Sequence, residues 1–177
     1  MVLGRRYPSI ILMALVLTVV GIKTFAPRLF DRSIVRNESF SVKVPEGWHV
    51  KKTRTDVTVT APETDDLTEM PVAVFSVYAE KQKGALFMED FWPEILASLG
   101  RENGEILSTG EELIDGQASH WVLFRYYRPE IAVVSLYIAD DFNRLTIIRF
   151  VGSLKKFKDY GKLFNEFKKS IRLKSFM

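Results

Sequence analysis

The chain of 177 residues contains no cysteine and only two histidines, His49 and His120. The missing cysteines exclude a disulfide scaffold, a thiolate metal site, a cysteine nucleophile and an acylated-cysteine anchor. Zinc takes a cluster of nitrogen and sulfur ligands, and two histidines far apart in sequence do not supply one. No glycine-rich phosphate loop, GxSxG elbow or HExxH pair occurs. Ser153 follows Gly152 but stands at a strand end, and scattered serines with two histidines do not compose a triad. The acidic segment Glu63, Asp65, Asp66 and Glu69 lacks the spacing and turn glycine of an EF-hand and reads as a solvated loop. Asp140-Asp141 reads as a turn pair. No catalytic, cofactor-binding or metal-binding residue is therefore assigned, and the expectation is a protein that is not an enzyme and carries no cofactor.

What the chain does have is an uncharged apolar run from Ile10 to Ile22, just inside Arg5 and Arg6. A membrane-spanning helix needs about 20 residues, and the run alone holds 13. It reaches spanning length as residues 7–26, with Tyr7 in the headgroup belt and Lys23 snorkelling. The expected anchor side chains are Tyr7, Ile10, Ile11, Leu12, Leu15, Val16, Leu17, Val19, Val20 and Ile22. A cleaved signal peptide is the competing reading. Thr24-Phe25-Ala26 is a poor cleavage site with Pro27 directly behind it, so a retained anchor is expected. A buried core helix fits less well, since the run is apolar on every face. The expected organisation is a basic N-terminus (1–6), the anchor (7–26), a basic stem (27–38), one domain (39–173) and a tail (174–177).

The net charge of +3 conceals three blocks. Residues 1–36 carry six basic and one acidic residue, and residues 155–177 carry eight basic and two acidic. The body, 37–154, carries 11 basic and 19 acidic residues. An acidic body of net −8 repels a phosphate backbone, so no nucleic-acid partner is expected despite a pI near 9.1. A basic stem beside a span suits anionic headgroups. Counting positive charges at the two ends of the span does not favour export of the domain; the signal-like layout does.

Phe40, Val42 and Val44 alternate with Ser39, Ser41 and Lys43, the period of a half-buried strand. Pro45-Glu46-Gly47 turns the chain into a strand starting near Trp48, and Val57 to Thr60 and Val72 to Tyr78 follow. Leu86 to Leu99 reads as a helix with Asp90 as N-cap, Pro93 in the first turn and Gly100 as its end. Residues 105–152 read as a four-stranded meander, with Asp115-Gly116 as a two-residue hairpin turn. Phe157, Tyr160, Phe164, Phe167 and Ile171 recur at helical spacing, with most of the lysines on the other side. Both faces of the meander are apolar, so both require cover. The expected fold class is α+β: a transmembrane helix, then an antiparallel sheet with helices on both faces, an α/β/α sandwich.

Phe40 and Val44 followed by Pro45-x-Gly47-Trp48, a mid-chain helix, Leu113-Ile114-Asp115-Gly116-Gln117-Ala118 opening a long strand, Leu145-Thr146-Ile147, and a final Phe157-x-x-Tyr160 helix ending in Ser170-Ile171-x-Leu173 form an ordered set. That order resembles the PsbP-like superfamily, which includes PsbP of photosystem II, the envelope protein DcrB and a yeast Ran-binding protein. The resemblance covers about 39–173 and implies a non-enzymatic binding, assembly or stabilising module, without transferring any functional residue. With the anchor, it implies a single-pass protein of a bacterial-type inner membrane, its domain extracytoplasmic, bound to the bilayer through 7–26 and to membrane-protein partners as a subunit or assembly factor. Binding of a small molecule or lipid, or a chaperone role facing the cytoplasm, remain open alternatives. Candidate partner or lipid contacts are Phe87, Phe91 and Trp92 at one helix start and Lys155, Lys156, Lys158 and Lys162 at another.

Overall fold

The computed structural model describes residues 34–66, 69–84, 86–127, 130–140 and 143–174. The expected anchor, 7–26, lies outside the described residues. Among those described, no helix is long and apolar enough to cross a membrane.

The described residues form ten strands and two helices. The strands are β1 (Ile34–Arg36), β2 (Phe40–Lys43), β3 (His49–Lys52), β4 (Asp56–Thr60), β5 (Ala73–Lys81), β6 (Gly104–Ile114), β7 (Gln117–Tyr127), β8 (Glu130–Ala139), β9 (Arg144–Ser153) and β10 (Arg172–Leu173). The helices are α1 (Met88–Leu99) and α2 (Phe157–Ser170). A seven-stranded antiparallel sheet runs β3-β4-β5-β9-β8-β7-β6, which makes β9 its central strand. The four-stranded meander is present, and Asp115 (φ 50°) with Gly116 (φ 81°) joins Ile114 to its partner Gln117. Two successive residues at positive φ are the signature of a type I′ turn, whose twist matches the flanking strands.

The two edges of this sheet are guarded differently. Every residue of β3 is exposed, and its Lys51 and Lys52 place charge on that edge. At the opposite edge β6 slips register between Ile106 and Ser108, a bulge that bends the strand away from further pairing.

A second, three-stranded sheet has β2 between β1 and β10. The Asn37 side chain closes its first turn by accepting from the Ser39 and Phe40 amides at 2.9 and 2.8 Å. The Ser170 hydroxyl accepts from the Lys43 amide at 2.9 Å and ties the end of α2 to β2. Asp115 accepts from the Leu173 amide at 2.8 Å and fastens β10 to the hairpin turn. Residues expected to be stem thus supply a strand of the domain.

Alternation sorts the large sheet into two faces. Phe75, Val77, Ile148, Phe150, Leu136 and Ile138 point to the α2 side and pack with Phe164, Phe167 and Ile171. Phe40 and Val42 of the small sheet join the same cluster. On the α1 side Met88 packs with Val122, Tyr137, Leu145 and Ile147, and Phe91, Trp92, Ile95, Leu96 and Leu99 lie against them.

The expected α/β/α sandwich is not what forms. Of the described residues, 53% are in strands and 19% in helices. Seven strands span about 29 Å at the usual spacing, whereas one helix with its side chains covers about 10 Å. A single helix on each side cannot make a full layer. On the α2 side the small sheet supplies the missing cover; on the α1 side the cover stops partway. The start of α1 also differs from expectation. Phe87, not Asp90, is the N-cap, no side chain caps the helix, and Pro93 lies inside it.

Candidate functional site

The extent of α1 can be read from burial along the strands. On the α1 side of β9, Leu145 and Ile147 are buried, while Arg149, Val151 and Ser153 are half-buried. On β8, Tyr137 and Ser135 are buried, and Val133 and Ile131 are not. On β5 the same side carries half-buried Val74, Ser76 and Tyr78. Among the described residues, the helix therefore shields one half of this face and leaves the other half only half-buried.

The uncovered half has a definite composition. Strand register aligns Val74, Val151 and Val133 in one row across β5, β9 and β8. The next row holds Thr58, Ser76, Arg149 and Ser135 across β4, β5, β9 and β8. Side chains opposite one another on neighbouring strands stand about 5 Å apart, so an aliphatic strip borders a polar strip with one cation at its centre.

Arg149 donates from Nε to Ser135 Oγ at 3.0 Å. Its guanidinium carbon lies 5.8 Å from the centre of the Tyr78 ring. Among the described residues no carboxylate forms an ion pair with it. Desolvation is the leading influence on its protonation and opposes the charge, but the phenol oxygens of Tyr78, Tyr137 and Tyr126 together hold its pKa above the ordinary arginine value. The group stays cationic. A half-buried cation without an anion carries a desolvation cost, and phenols and a hydroxyl compensate only part of it. The tyrosines respond in kind. Burial pushes the Tyr78 phenol up, with the Arg149 charge opposing. Burial, then a hydrogen bond to Glu102, pushes Tyr126 well above its usual range.

The residues expected as contacts do not form one surface. Phe87 is 62% exposed at the start of α1. Phe91 and Trp92 are half-buried against the sheet, Trp92 tilted on His120 at 5.3 Å between ring centres. Lys155, Lys156, Lys158 and Lys162 are exposed at the beginning of α2, the helix of the opposite face. His49 and His120 lie on β3 and β7, five strand spacings or about 24 Å apart. Among the described residues no three His, Cys, Asp or Glu side chains gather as a metal site. A depression between β6 and α2 is lined by Glu112, Leu113, Asp115, Asn165, Lys168 and Lys169 and is mostly polar.

Arg149 was missed by sequence reasoning. The signal was available: an arginine between Ile148 and Phe150, inside a strand whose two faces both require cover. Such a residue has to find a partner in the fold or outside it.

Neither known family profiles nor curated proteins match the chain. Solved structures do. Cyanobacterial PsbP from Synechocystis superimposes with a TM-score of 0.54 at 13% identity, over 86% of this chain and 99% of that one. The fold is PsbP-like. LpqN, described as involved in cell envelope biogenesis of Mycobacterium tuberculosis, gives a TM-score of 0.64 at 9% identity, over 77% of this chain and 83% of that one. A Pseudomonas aeruginosa protein of unknown function gives 0.60 at 10% identity, over 81% and 97%. Identities this low carry the architecture and nothing of the chemistry.

Proposed function

We propose that this PsbP-like domain is a non-enzymatic recognition module that serves as a subunit or assembly factor of a membrane-protein complex. The carrying observation is the half-covered α1 face: an aliphatic strip and a lone cation at the centre of a rigid sheet, beside the exposed Phe87. A sheet that seals one face with a helix and a second sheet, yet leaves part of the other wet, presents a preformed surface at little ordering cost. PsbP and the envelope protein LpqN are built on the same fold, which supports the reading by analogy. In this proposal residues 7–26 hold the domain at a bacterial-type inner membrane, on the extracytoplasmic side, and so concentrate it near its partner.

The test is purification of the full-length protein from native membranes in mild detergent, with a photo-crosslinking residue at Val133 or, as a control, at Lys162. A stoichiometric membrane protein crosslinked from Val133 and not from Lys162 supports the proposal. Recovery of the protein alone, with a bound lipid or metabolite, refutes it.

A further inference from the structure

We infer that Arg149 is a recognition site for a single carboxylate of the partner, an aspartate or glutamate flanked by aliphatic residues. The inference rests on the recognition role proposed above and names the chemistry of what is recognised.

The argument is one of charge complementarity. Arg149 sits half-buried on the central strand, its neighbours are a hydroxyl and phenols, and among the described residues no carboxylate is in ion-pair contact with it. Other arginines of the domain are treated differently. Arg144, the first residue of β9 and five before Arg149, donates to Asp140 at 2.7 Å, and Arg125 donates to Glu105 at 2.8 Å. The fold thus supplies carboxylates to Arg144 and Arg125 and withholds one from Arg149, on the half of the sheet that α1 leaves open. Guanidinium presents a planar fork of donors that matches a carboxylate bidentately. Nε is committed to Ser135 and the Tyr137 phenol is a second hydrogen-bond partner, so a carboxylate arriving at the guanidinium would add to these neutral partners the anion they do not supply.

The surroundings select among anions. Val74, Val133 and Val151 border the site and favour a ligand with apolar flanks. The net −8 body disfavours a densely charged one such as phosphate. A lone acidic side chain set among aliphatic ones satisfies both conditions.

Ser76 provides an internal test, because it stands directly opposite Arg149 in the β5–β9 register. Ser76→Glu places a carboxylate of this chain where the partner's would bind.

The experiment uses the full chain in neutral detergent and follows the Arg149 Nε–H resonance, assigned by its loss in Arg149→Gln. The probes are acetyl-Val-Glu-Val-amide, its Gln counterpart and inorganic phosphate. The Glu peptide is expected to shift the resonance saturably, and the Gln peptide to bind about tenfold more weakly or worse. Folded Ser76→Glu is expected to melt higher than wild type and to ignore the Glu peptide. Equal binding of the two peptides, tighter binding of phosphate, or persistent Glu preference in folded Ser76→Glu each overturns the inference. Should a stoichiometric partner be retained equally by wild type and Arg149→Gln, the inference fails while the recognition role stands. Should the Glu preference hold while no partner is found, the site stands and the recognition role fails.

Discussion

Replacing Phe75 with alanine should remove the keystone of the domain. Phe75 is fully buried and touches four rings: Trp48 at 4.7 Å, Phe150 at 5.1 Å, and Phe164 and Phe167 at 5.3 Å each. Those rings come from the β3 start, β9 and α2, so one side chain joins three parts of the chain. Phe→Ala in a packed core costs about 3–5 kcal/mol through lost burial and the cavity left behind. Aromatic pairs add about 0.5–1.5 kcal/mol each beyond their area, which puts Phe75→Ala at the upper end, about 4–5 kcal/mol. A domain is stable by only about 5–15 kcal/mol, so the variant should be marginal. At roughly 3 °C per kcal/mol for a domain of this size, the melting temperature should fall by about 12–15 °C.

The assay is a urea titration followed by far-ultraviolet circular dichroism, with Phe87→Ala as a control. Phe87 is 62% exposed, and its truncation should change stability by no more than about 0.5 kcal/mol. An unchanged urea slope with a lower midpoint is required for the loss to be one of native packing. A loss under about 2 kcal/mol for Phe75→Ala would show that the two sheets and α2 hold together without the aromatic cluster, and the account of the core would be wrong.

Three other outcomes follow from the same structure. Tyr78, Tyr126 and Tyr160 all have phenol pKa values raised in the folded state; unfolding lets them ionise at their ordinary value near 10. Their contribution to stability is therefore complete below about pH 10 and is lost progressively as pH rises through the raised folded values. Thermal melts from pH 8 to 12 should show this fall, and Tyr126→Phe should make it shallower; an equal slope in the variant contradicts the assignment. Phe87→Asp gives α1 the side-chain cap it lacks and should stabilise the domain by about 1 kcal/mol, while weakening partner retention if Phe87 is a contact. A destabilised Phe87→Asp protein would show that Phe87 is not an ordinary N-cap. Arg144→Gln removes the guanidinium from Asp140, whose side chain is only 14% exposed and keeps the hydrogen bond from the residue-144 amide, and should cost about 1–3 kcal/mol; no loss in the same titration speaks against the pair.

Local chemistry carried the strands and the second helix into the sequence in legible form. Phe40-Ser41-Val42 alternates because β2 has one dry face, Asp115-Gly116 turns because only such residues tolerate two positive φ values in succession, and Phe157 to Ile171 repeats at helical spacing because α2 lies on a sheet. What escaped was either too short or too distant to leave a pattern. β1 and β10 hold three and two residues, below the length at which any period can be recognised, and they pair through β2 across the whole domain. The order that puts β9 in the middle is set by β5 pairing with a strand more than sixty residues later. The sandwich expectation failed for a reason of scale: apolar residues on both faces show that cover is needed, but not how much of each face one helix reaches. Arg149 stands in the sequence as a charge between Ile148 and Phe150, but its neighbours Thr58, Ser76 and Ser135 come from distant strands that only the register brings into one row.

The two faces of the sheet are unequal in a way that would tie stability to one and the proposed recognition to the other. The α2 face is closed by a helix, a second sheet and the linked rings of Trp48, Phe75, Phe150, Phe157, Phe164 and Phe167, so the domain can rest its stability there. The α1 face is held by a smaller cluster, under a helix with a proline inside it, no side-chain cap and no basic residue in its last turn. Each of those features weakens a helix. A protein that needed both faces for stability would have extended this cover over Val133 and Val151. With its packing concentrated on one side, the domain can leave Arg149 half-buried in the middle of the other.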